Sequence, residues 1–231
     1  MPKIFNSNLE TKFKIFFKRF SKIIIKVGSS LLVNQKNGKL NLNWMNALAE
    51  DISVLKNISK KIILVSSGAI AIGRKSINVN KKTLTLEENQ AAAAVGQVKL
   101  AHAWQNCLAK EGMKCAQVLL SPDDTETRRR HLNARATLST LLKNNIIPVI
   151  NENDTVTTSE IRFGDNDRLA ARVAQMSSSD LLILLSDIDG LYDSDPKKND
   201  NAKHIPIVEK ISNQIMKMAG SKNYEYASGG M

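Results

Sequence analysis

The segment from Ile150 to Asp167 carries the densest group of side chains that could take part in chemistry. It follows an apolar run at 146–150 that predicts a buried strand. The polar residues of the segment include Asn151, Asn153, Asp154, Asp165, Asn166 and Asp167. Carboxamides donate and accept hydrogen bonds and carboxylates pair with cations, so these side chains could bind a small polar ligand. The same residue types favour turns and helix N-caps, so a solvated loop is an equally good interpretation of this segment alone.

A second candidate is the lysine at the end of a β-branched strand, residues 21–27. Gly28 and Ser29 follow this strand, and backbone N–H groups in such a turn can bind phosphate. Lys26 could be an edge-strand lysine in water. Its neighbours Ile25 and Val27 instead favour a buried strand, where a lysine needs an anionic partner.

A third group follows the strand predicted at 61–65, where Ser66, Ser67 and Gly68 end the apolar run. Small residues there leave room for a ligand. Gly68 and Gly73 have P-loop spacing, but Arg74 and Lys75 stand where that motif needs Lys and Ser or Thr, which excludes Walker chemistry.

The elements that must position these residues alternate along the chain. Predicted strands are 21–27, 61–65, 114–120, 146–150 and 181–185, and predicted helices are 43–55, 87–111, 128–142, 166–176 and 211–219. Such alternation indicates right-handed βαβ crossovers. We therefore predict an α/β fold with a doubly wound, mainly parallel central sheet and helices on both faces. Polar residues after the strands, including Ser186 and Asp187, would then share one edge.

Composition narrows the function classes. The 231 residues have a net charge of +11, but the basic residues are scattered and no aromatic-interleaved stripe occurs, so nucleic-acid binding is a minor alternative. Cys107, Cys115, His102 and His131 have no partners at metal-ligand spacing, so we assign no metal cluster. The sequence has no run of 18 or more apolar residues, so no membrane span is predicted. The two cysteines fit a reducing compartment.

Residues 1–22 form a basic N-terminal extension, with Phe13, Phe16, Phe17 and Phe20 at helical spacing. A surface anchor and a transit-like segment are alternatives. We favour a partly helical extension that docks on the domain or on a partner subunit.

Six motifs occur along the chain. Each is weak by itself, but the six together in this order are specific. They are Ile25-Lys26-Val27-Gly28-Ser29, Val65-Ser66-Ser67-Gly68-Ala69-Ile70, Ala94-Val95-Gly96-Gln97, Ile150-Asn151-Glu152-Asn153-Asp154, Phe163-Gly164-Asp165-Asn166-Asp167 and Leu185-Ser186-Asp187-Ile188-Asp189-Gly190-Leu191-Tyr192. With these motifs, residues 23–231 resemble the amino acid kinase family. The fourth and fifth motifs point within it to the members that phosphorylate L-glutamate.

The resemblance implies transfer of the ATP γ-phosphoryl group, with Mg²⁺, to the γ-carboxylate of L-glutamate, the first step of proline synthesis. Such a carboxylate, with a reference pKa of about 4.3, is already ionised at neutral pH and needs no general base. Catalysis must then come from aligning two anions and neutralising the charge between them. The resemblance also implies a cytoplasmic homo-oligomer.

The resemblance also assigns roles to individual residues. It implies that Lys26 contacts the transferring phosphoryl group and that Asp167 holds this lysine in place. Ser67, Asp154 and Asn166 would bind glutamate. The expected nucleotide-binding residues are Lys26, Gly28, Ser29, Ser186, Asp187, Ser228, Gly229, Gly230 and Met231.

The family pattern extends past Met231, into a segment whose lysine also binds phosphate. We therefore expect residues 23–231 to be an incomplete kinase domain without the RNA-binding-like PUA domain of many members, and expect little or no kinase activity from these 231 residues alone. Two alternatives stay open. One is an acetylglutamate or aspartate kinase, and the other is an impaired remnant that binds only nucleotide or a partner.

Overall fold

The computed structural model describes residues 15–34, 37–77, 84–156 and 166–218. Of the residues singled out from the sequence, Phe13, Phe163, Gly164 and Asp165 lie outside these ranges. The predicted nucleotide-loop residues Ser228, Gly229, Gly230 and Met231 also lie outside the described part of the chain.

Five parallel strands form the central sheet, which confirms the predicted doubly wound α/β fold. The strands are β1 (Lys22–Val27), β2 (Lys61–Ser66), β3 (Lys114–Leu120), β4 (Ile146–Glu152) and β5 (Leu181–Leu185). Their order across the sheet is β3-β4-β2-β1-β5, and every pairing is parallel. The carboxyl ends of all five strands therefore lie at one edge. A short antiparallel pair, β6 (Leu191–Tyr192) and β7 (His204–Ile205), follows β5.

The described helices follow the predicted pattern with shifted ends. They are α1 (Ser29–Leu32), α2 (Leu42–Asn57), α3 (Ala69–Gly73), α4 (Leu86–Lys110), α5 (Pro122–Glu126), α6 (Arg128–Lys143), α7 (Asn166–Ser177) and α8 (Asn213–Met218). A 3-10 turn, Arg74–Ile77, extends α3. Helix α4 is the longest and begins with a capping box between Thr85 and Glu88. Within the described ranges, no helix is long and apolar enough to cross a membrane.

Alternation along the strands divides the core into two layers. Ile23, Ile25 and Val27 of β1 belong to the layer covered by α2 and α4, which contains the fully buried Trp104. Ile24 of β1 belongs to the opposite layer, which α6 and α7 cover. Since Lys26 is two residues from Ile24, its side chain lies on the face of the sheet that α7 covers, and Asp167 is in the first turn of α7.

Helices α3 and α4 cross with their backbones in contact at two glycines. A Cβ atom placed on Gly96 would lie 1.8 Å from the Ala69 carbonyl oxygen, and one on Gly73 would lie 1.8 Å from the Ala92 carbonyl oxygen. Neither position has room for a side chain. The crossing holds α3, and with it the Ser66–Gly68 turn that precedes α3, against the long helix.

Strand β5 has side chains in both core layers, although it has only one neighbouring strand in the described part of the chain. It lies at the edge of the described sheet beside β1, and Leu184 is 37% exposed. All five residues of this strand are apolar, which fits its contacts with both layers of the core. Ile183 and Leu185 pack on the layer under α2 and α4, and Leu182 packs on the layer under α6 and α7. The last helix, predicted at 211–219, begins two residues later, at Asn213, and is described as far as Met218.

The N-terminal segment contacts the domain where the structure describes it. Residues 15–18 are helical, and Phe17 is buried in the α2 and α4 layer with Phe20 packed beside it. The Lys60 ammonium donates to the Phe20 carbonyl oxygen at 2.5 Å. This contact lies at the edge of the sheet opposite to the strand carboxyl ends.

We expect Asp180 to make the thermal stability of the fold depend on pH in the acidic range. Its carboxylate accepts hydrogen bonds from the backbone N–H of Lys22 at 2.9 Å and of Ser21 at 2.7 Å, which join the starts of β5 and β1. These bonds lower the pKa of Asp180 below its usual 3.8. Asp180→Ala should lower Tm by about 2–4 °C at pH 7.

Because the pKa is lower in the folded protein, the stabilisation is complete above pH 3.8 and is lost as the pH falls through the folded value. Thermal unfolding followed by circular dichroism from pH 7 to pH 2.5 measures this. The exposed Asp200→Ala is the control. A Tm difference for Asp180→Ala that stayed constant down to pH 2.5 would contradict the assignment.

Candidate active site

The centre of the site is an ion pair between a strand and a helix. The Lys26 Nζ lies 2.6 Å from the Asp167 Oδ1, and the lysine side chain is only 6% exposed. Lys26 is held between β2 and β5, opposite Val65 and Leu184 in the sheet register. Asp167 stands in the first turn of α7. A buried ammonium needs such a partner, so the pair fixes where the positive charge points.

The turn after β1 keeps space open beside this charge. Gly28 donates its N–H to the Leu185 carbonyl oxygen at 3.1 Å, which ties the turn to the end of β5. A Cβ on Gly28 would lie 3.3 Å from that oxygen and 3.9 Å from the Lys26 Nζ. The missing side chain leaves room for a ligand anion next to the ammonium.

The turn after β2 approaches the turn after β1. Gly68 has φ +101°, and a Cβ there would lie 3.1 Å from Val33 and 3.8 Å from the Ser29 Cβ. The left-handed backbone and the close neighbour both require glycine. Ser66 before it is fully buried, and its hydroxyl accepts from the Trp104 Nε1 at 2.8 Å.

Asn166 connects this turn to the end of β4. Its Nδ2 lies 2.9 Å from the Ser66 carbonyl oxygen, 2.8 Å from the Ser67 Oγ and 2.8 Å from the Asn151 Oδ1. An amide nitrogen has two hydrogens, so the three acceptors share them. The Oδ1 of Asn166 is the amide atom that can accept from a ligand, and the Ser67 hydroxyl keeps its own proton to donate.

Asn151 is in turn held by the long helix. Its Nδ2 donates to the Gln97 Oε1 at 2.7 Å, and its Oδ1 also accepts from the Glu152 N–H at 2.9 Å. Asn151 is 3% exposed, so its amide is enclosed by these contacts. The carboxamides at the ends of β4 and α7 are thus part of one hydrogen-bonded chain, and the solvated-loop interpretation does not apply to them.

Asp154 follows β4 at the rim of a cavity of about 240 Å³. The cavity lies between α4 and the ends of β3 and β4. Its wall includes Gln97, Gln117, Glu152, Asn153 and Asp154, with Ala93, Ala94 and Val98 from α4. Ser67 and Asn166 do not line this cavity, so the three residues expected to bind glutamate occupy two adjoining places.

Ser186 and Asp187 follow β5, on the other side of β1. The Asp187 carboxylate accepts from the Lys197 Nζ at 2.6 Å and from the Ser186 Oγ at 3.2 Å. The Lys197 hydrogen bond is the main cause that lowers the pKa of Asp187, and Asp187 raises the pKa of Lys197. Both side chains are exposed, so solvent screens this pair more than the pair at Lys26.

The structure therefore brings most of the described candidates to one edge of the sheet. Lys26, Gly28 and Asp167 form the centre, Ser67 and Asn166 lie on the β2 side, Asp154 lies beyond β4, and Ser186 and Asp187 lie beyond β5. Gln97 and Lys197 were given no role from the sequence, whereas Asn151 was among the polar residues after the fourth strand that could bind a ligand. Among the described residues, no group of three or more His, Cys, Asp or Glu side chains could hold a metal ion.

Comparisons with known proteins agree with this architecture. The sequence model described as "Amino acid kinase family" matches residues 21–231. "Glutamate 5-kinase 1" of Mesorhizobium japonicum is 56% identical over 214 residues, which cover 93% of this chain and 56% of that protein. "Glutamate 5-kinase" of Paramagnetospirillum magneticum is 56% identical over 210 residues, covering 91% and 56%. The chain thus spans a little over half the length of these curated relatives.

Two solved structures share the fold at low identity. UMP kinase from Bacillus anthracis has a TM-score of 0.53 at 16% identity, over 80% of this chain and 72% of that chain. An isopentenyl phosphate kinase product complex from T. acidophilum has a TM-score of 0.56 at 17% identity, over 79% and 77%. At this identity the likeness concerns the fold alone.

Proposed function

Because this chain belongs to the amino acid kinase family, we propose that its site transfers the γ-phosphoryl group of ATP to the γ-carboxylate of L-glutamate. The products are γ-glutamyl phosphate and ADP. A carboxylate oxygen attacks phosphorus, and the bond between phosphorus and the bridging oxygen of ADP breaks. The glutamate 5-kinases that resemble this chain support the choice of acceptor.

The observation that supports the proposal most is the ion pair between the buried Lys26 and Asp167 beside the open turn at Gly28. Two anions must approach each other for this reaction, and an ammonium held between them lowers their repulsion most in a site with little water. The Asp167 carboxylate keeps the Lys26 Nζ at the strand end. The proposed role of Asp167 is therefore positioning, and that of Lys26 is contact with the transferring group.

The order of the strands suggests how glutamate lies. Adjacent strands are about 4.8 Å apart, so the end of β4 is about 10 Å from Lys26 on β1. The amino acid end would lie toward Asp154, which can pair with the α-ammonium. The Asn166 Oδ1 accepts from the same ammonium, and the γ-carboxylate extends past the Ser67 hydroxyl toward Lys26. This orientation places the reacting oxygen beside the lysine.

The residues present fit a nucleotide phosphate beside Gly28 and Ser29. We propose that Ser186 and Asp187 contact the nucleotide from the β5 side, next to that turn. Bound ATP supplies the phosphoryl group and Mg²⁺ supplies positive charge. Magnesium usually keeps several waters and binds through phosphates and one or two carboxylates, so it can enter with the nucleotide without a larger protein cluster.

The proposal predicts a selective amino acid site. Because Asp154 and the Asn166 Oδ1 both accept, the site should prefer a free α-ammonium, so N-acetyl-L-glutamate should bind at least about tenfold more weakly than L-glutamate. L-aspartate is one methylene too short to reach Lys26 from Asp154. Calorimetric titration of the chain with the three acids measures this.

The matched control is Asp154→Asn, which removes the negative charge and should narrow the difference between the free and acetylated acids. Equal affinity for all three acids would contradict a glutamate site. Tighter binding of the acetylated acid would instead favour the acetylglutamate alternative. Trapping acyl phosphate with hydroxylamine then reports which bound acid is phosphorylated.

We further propose a homo-oligomer in the cytoplasm, the compartment that supplies ATP and keeps thiols reduced. Both cysteines are free thiols, and Cys107 is buried. Val95 and Val98 are exposed on α4, with Val98 71% exposed, and offer an apolar surface for a subunit contact. Light scattering on the purified chain measures the oligomeric state.

A further inference from the structure

The amide chain at the site has a polarity that backbone groups fix. The Ser66 carbonyl can only accept, so the Asn166 atom 2.9 Å from it must be the Nδ2. The Glu152 N–H can only donate, so the Asn151 atom 2.9 Å from it must be the Oδ1. The 2.8 Å contact between these two amide atoms agrees with both assignments.

This polarity determines what Gln97 offers. With its Oδ1 committed, Asn151 turns its Nδ2 toward α4, where the Gln97 Oε1 accepts at 2.7 Å. The Gln97 side chain is left with its Nε2 donor, and Gln97 is part of the wall of the 240 Å³ cavity. Glu152 and Asp154 line the same cavity with acceptors. A donor at this place suits a ligand carboxylate.

We propose that Gln97 is a further substrate-binding residue, whose Nε2 donates to the α-carboxylate of the amino acid while its Oε1 holds Asn151. The inference rests on the proposed function, which places the amino acid end of glutamate over β4. The α-ammonium is then recognised by acceptors, Asp154 and the Asn166 Oδ1. The α-carboxylate is recognised by the Gln97 donor on α4, so the site distinguishes the two charged groups on the α-carbon.

The substitution Gln97→Glu separates this role from a structural one. A glutamate side chain still accepts from the Asn151 Nδ2, so the amide chain is kept. The Nε2 donor is replaced by an anionic acceptor. We expect the Kd for L-glutamate to rise about tenfold or more. For the α-amide of L-glutamate, we expect Gln97→Glu to have a lower Kd than the unaltered chain. The carboxamide of this ligand can donate to the introduced carboxylate.

The probes are L-glutamate and its α-amide, titrated calorimetrically into the unaltered chain, Gln97→Glu and Gln105→Glu. Gln105 is exposed on the same helix and is the charge-matched control. Circular dichroism checks that each variant is folded. If Gln97→Glu does not fold, the unaltered chain decides alone, because it should bind the α-amide about tenfold more weakly than L-glutamate.

The outcomes distinguish the two proposals. An unaltered chain that does not bind L-glutamate overturns the proposed function and the role of Gln97 with it. An unaltered chain that binds L-glutamate, with the same ligand preference in Gln97→Glu as in Gln105→Glu, overturns the role of Gln97 alone. Equal affinity of the unaltered chain for the acid and its α-amide also overturns it. A preference for the α-amide over L-glutamate in Gln97→Glu, without such a change in Gln105→Glu, supports the role of Gln97.

Discussion

Replacing Lys26 with Met is expected to lower the rate of phosphoryl transfer by about 10³-fold while L-glutamate still binds. Methionine keeps an unbranched side chain one heavy atom shorter than that of lysine, and it removes the charge that lies 2.6 Å from Asp167. The uncompensated Asp167 carboxylate would then add to the repulsion between the two reactants. Lys26→Arg should recover only part of the rate, because a planar guanidinium is larger than the ammonium that this space holds.

The rate is measured by hydroxylamine trapping in a chimaera of this chain with the C-terminal part of a curated relative. L-glutamate affinity is measured calorimetrically on the same protein. Lys60→Met is the matched control, since Lys60 is also buried but lies at the opposite edge of the sheet. It should lower Tm without a comparable loss of rate. Unchanged turnover in Lys26→Met would show that this lysine does not contact the transferring group.

Replacing Gly96 with Ala is expected to destabilise the fold, although the same change in an open helix usually stabilises it by about 0.5–1 kcal/mol. The added Cβ would meet the Ala69 carbonyl oxygen at 1.8 Å and the Gly73 nitrogen at 2.8 Å. Backbone atoms cannot turn aside as a flexible side chain can, so the helices must separate. Overpacking of this kind costs about 1–3 kcal/mol or more, or roughly 2–12 °C in Tm for a chain of this size.

The separation should also affect ligand binding, because α3 begins directly after Gly68 and moves the Ser66–Gly68 turn with it. We expect weaker L-glutamate binding by Gly96→Ala even at temperatures where the variant stays folded. Gln105→Ala, at an exposed position on the same helix, should change Tm by less than about 1 °C. A Tm for Gly96→Ala equal to or above that of the unaltered chain would mean that the helices do not touch here.

The sequence was sufficient for the strands, their parallel direction and the burial of Lys26. The reason is that β-branched flanks, small residues after strands and helical periodicity are local signals. It did not predict that β5 lies at the edge of the described sheet, because an apolar run has the same composition in an edge strand as in a central one. Strand order depends on contacts between distant segments, which periodicity does not encode.

The candidate site was likewise predicted from the sequence only in part. Lys26 and Asp167 were paired from the family resemblance, and the structure places their charged atoms in contact. The Gln97 to Asn151 hydrogen bond joins residues 54 positions apart, and nothing in either local pattern indicates it. Gln97 on a helix looks like an ordinary polar residue until the packing of α4 over β4 is known. Roles of residues outside the described ranges stay predictions.

The position of β1 between β2 and β5 has a consequence for how the chain assembles on the ribosome. At five to twenty residues per second, roughly ten to thirty seconds separate the synthesis of β1 from that of β5. For most of this interval a nascent chain has neither the second neighbour of β1 nor the Asp167 carboxylate that pairs with Lys26. The strand that carries Lys26 is therefore among the first to be made and among the last to gain both of its neighbours in the sheet.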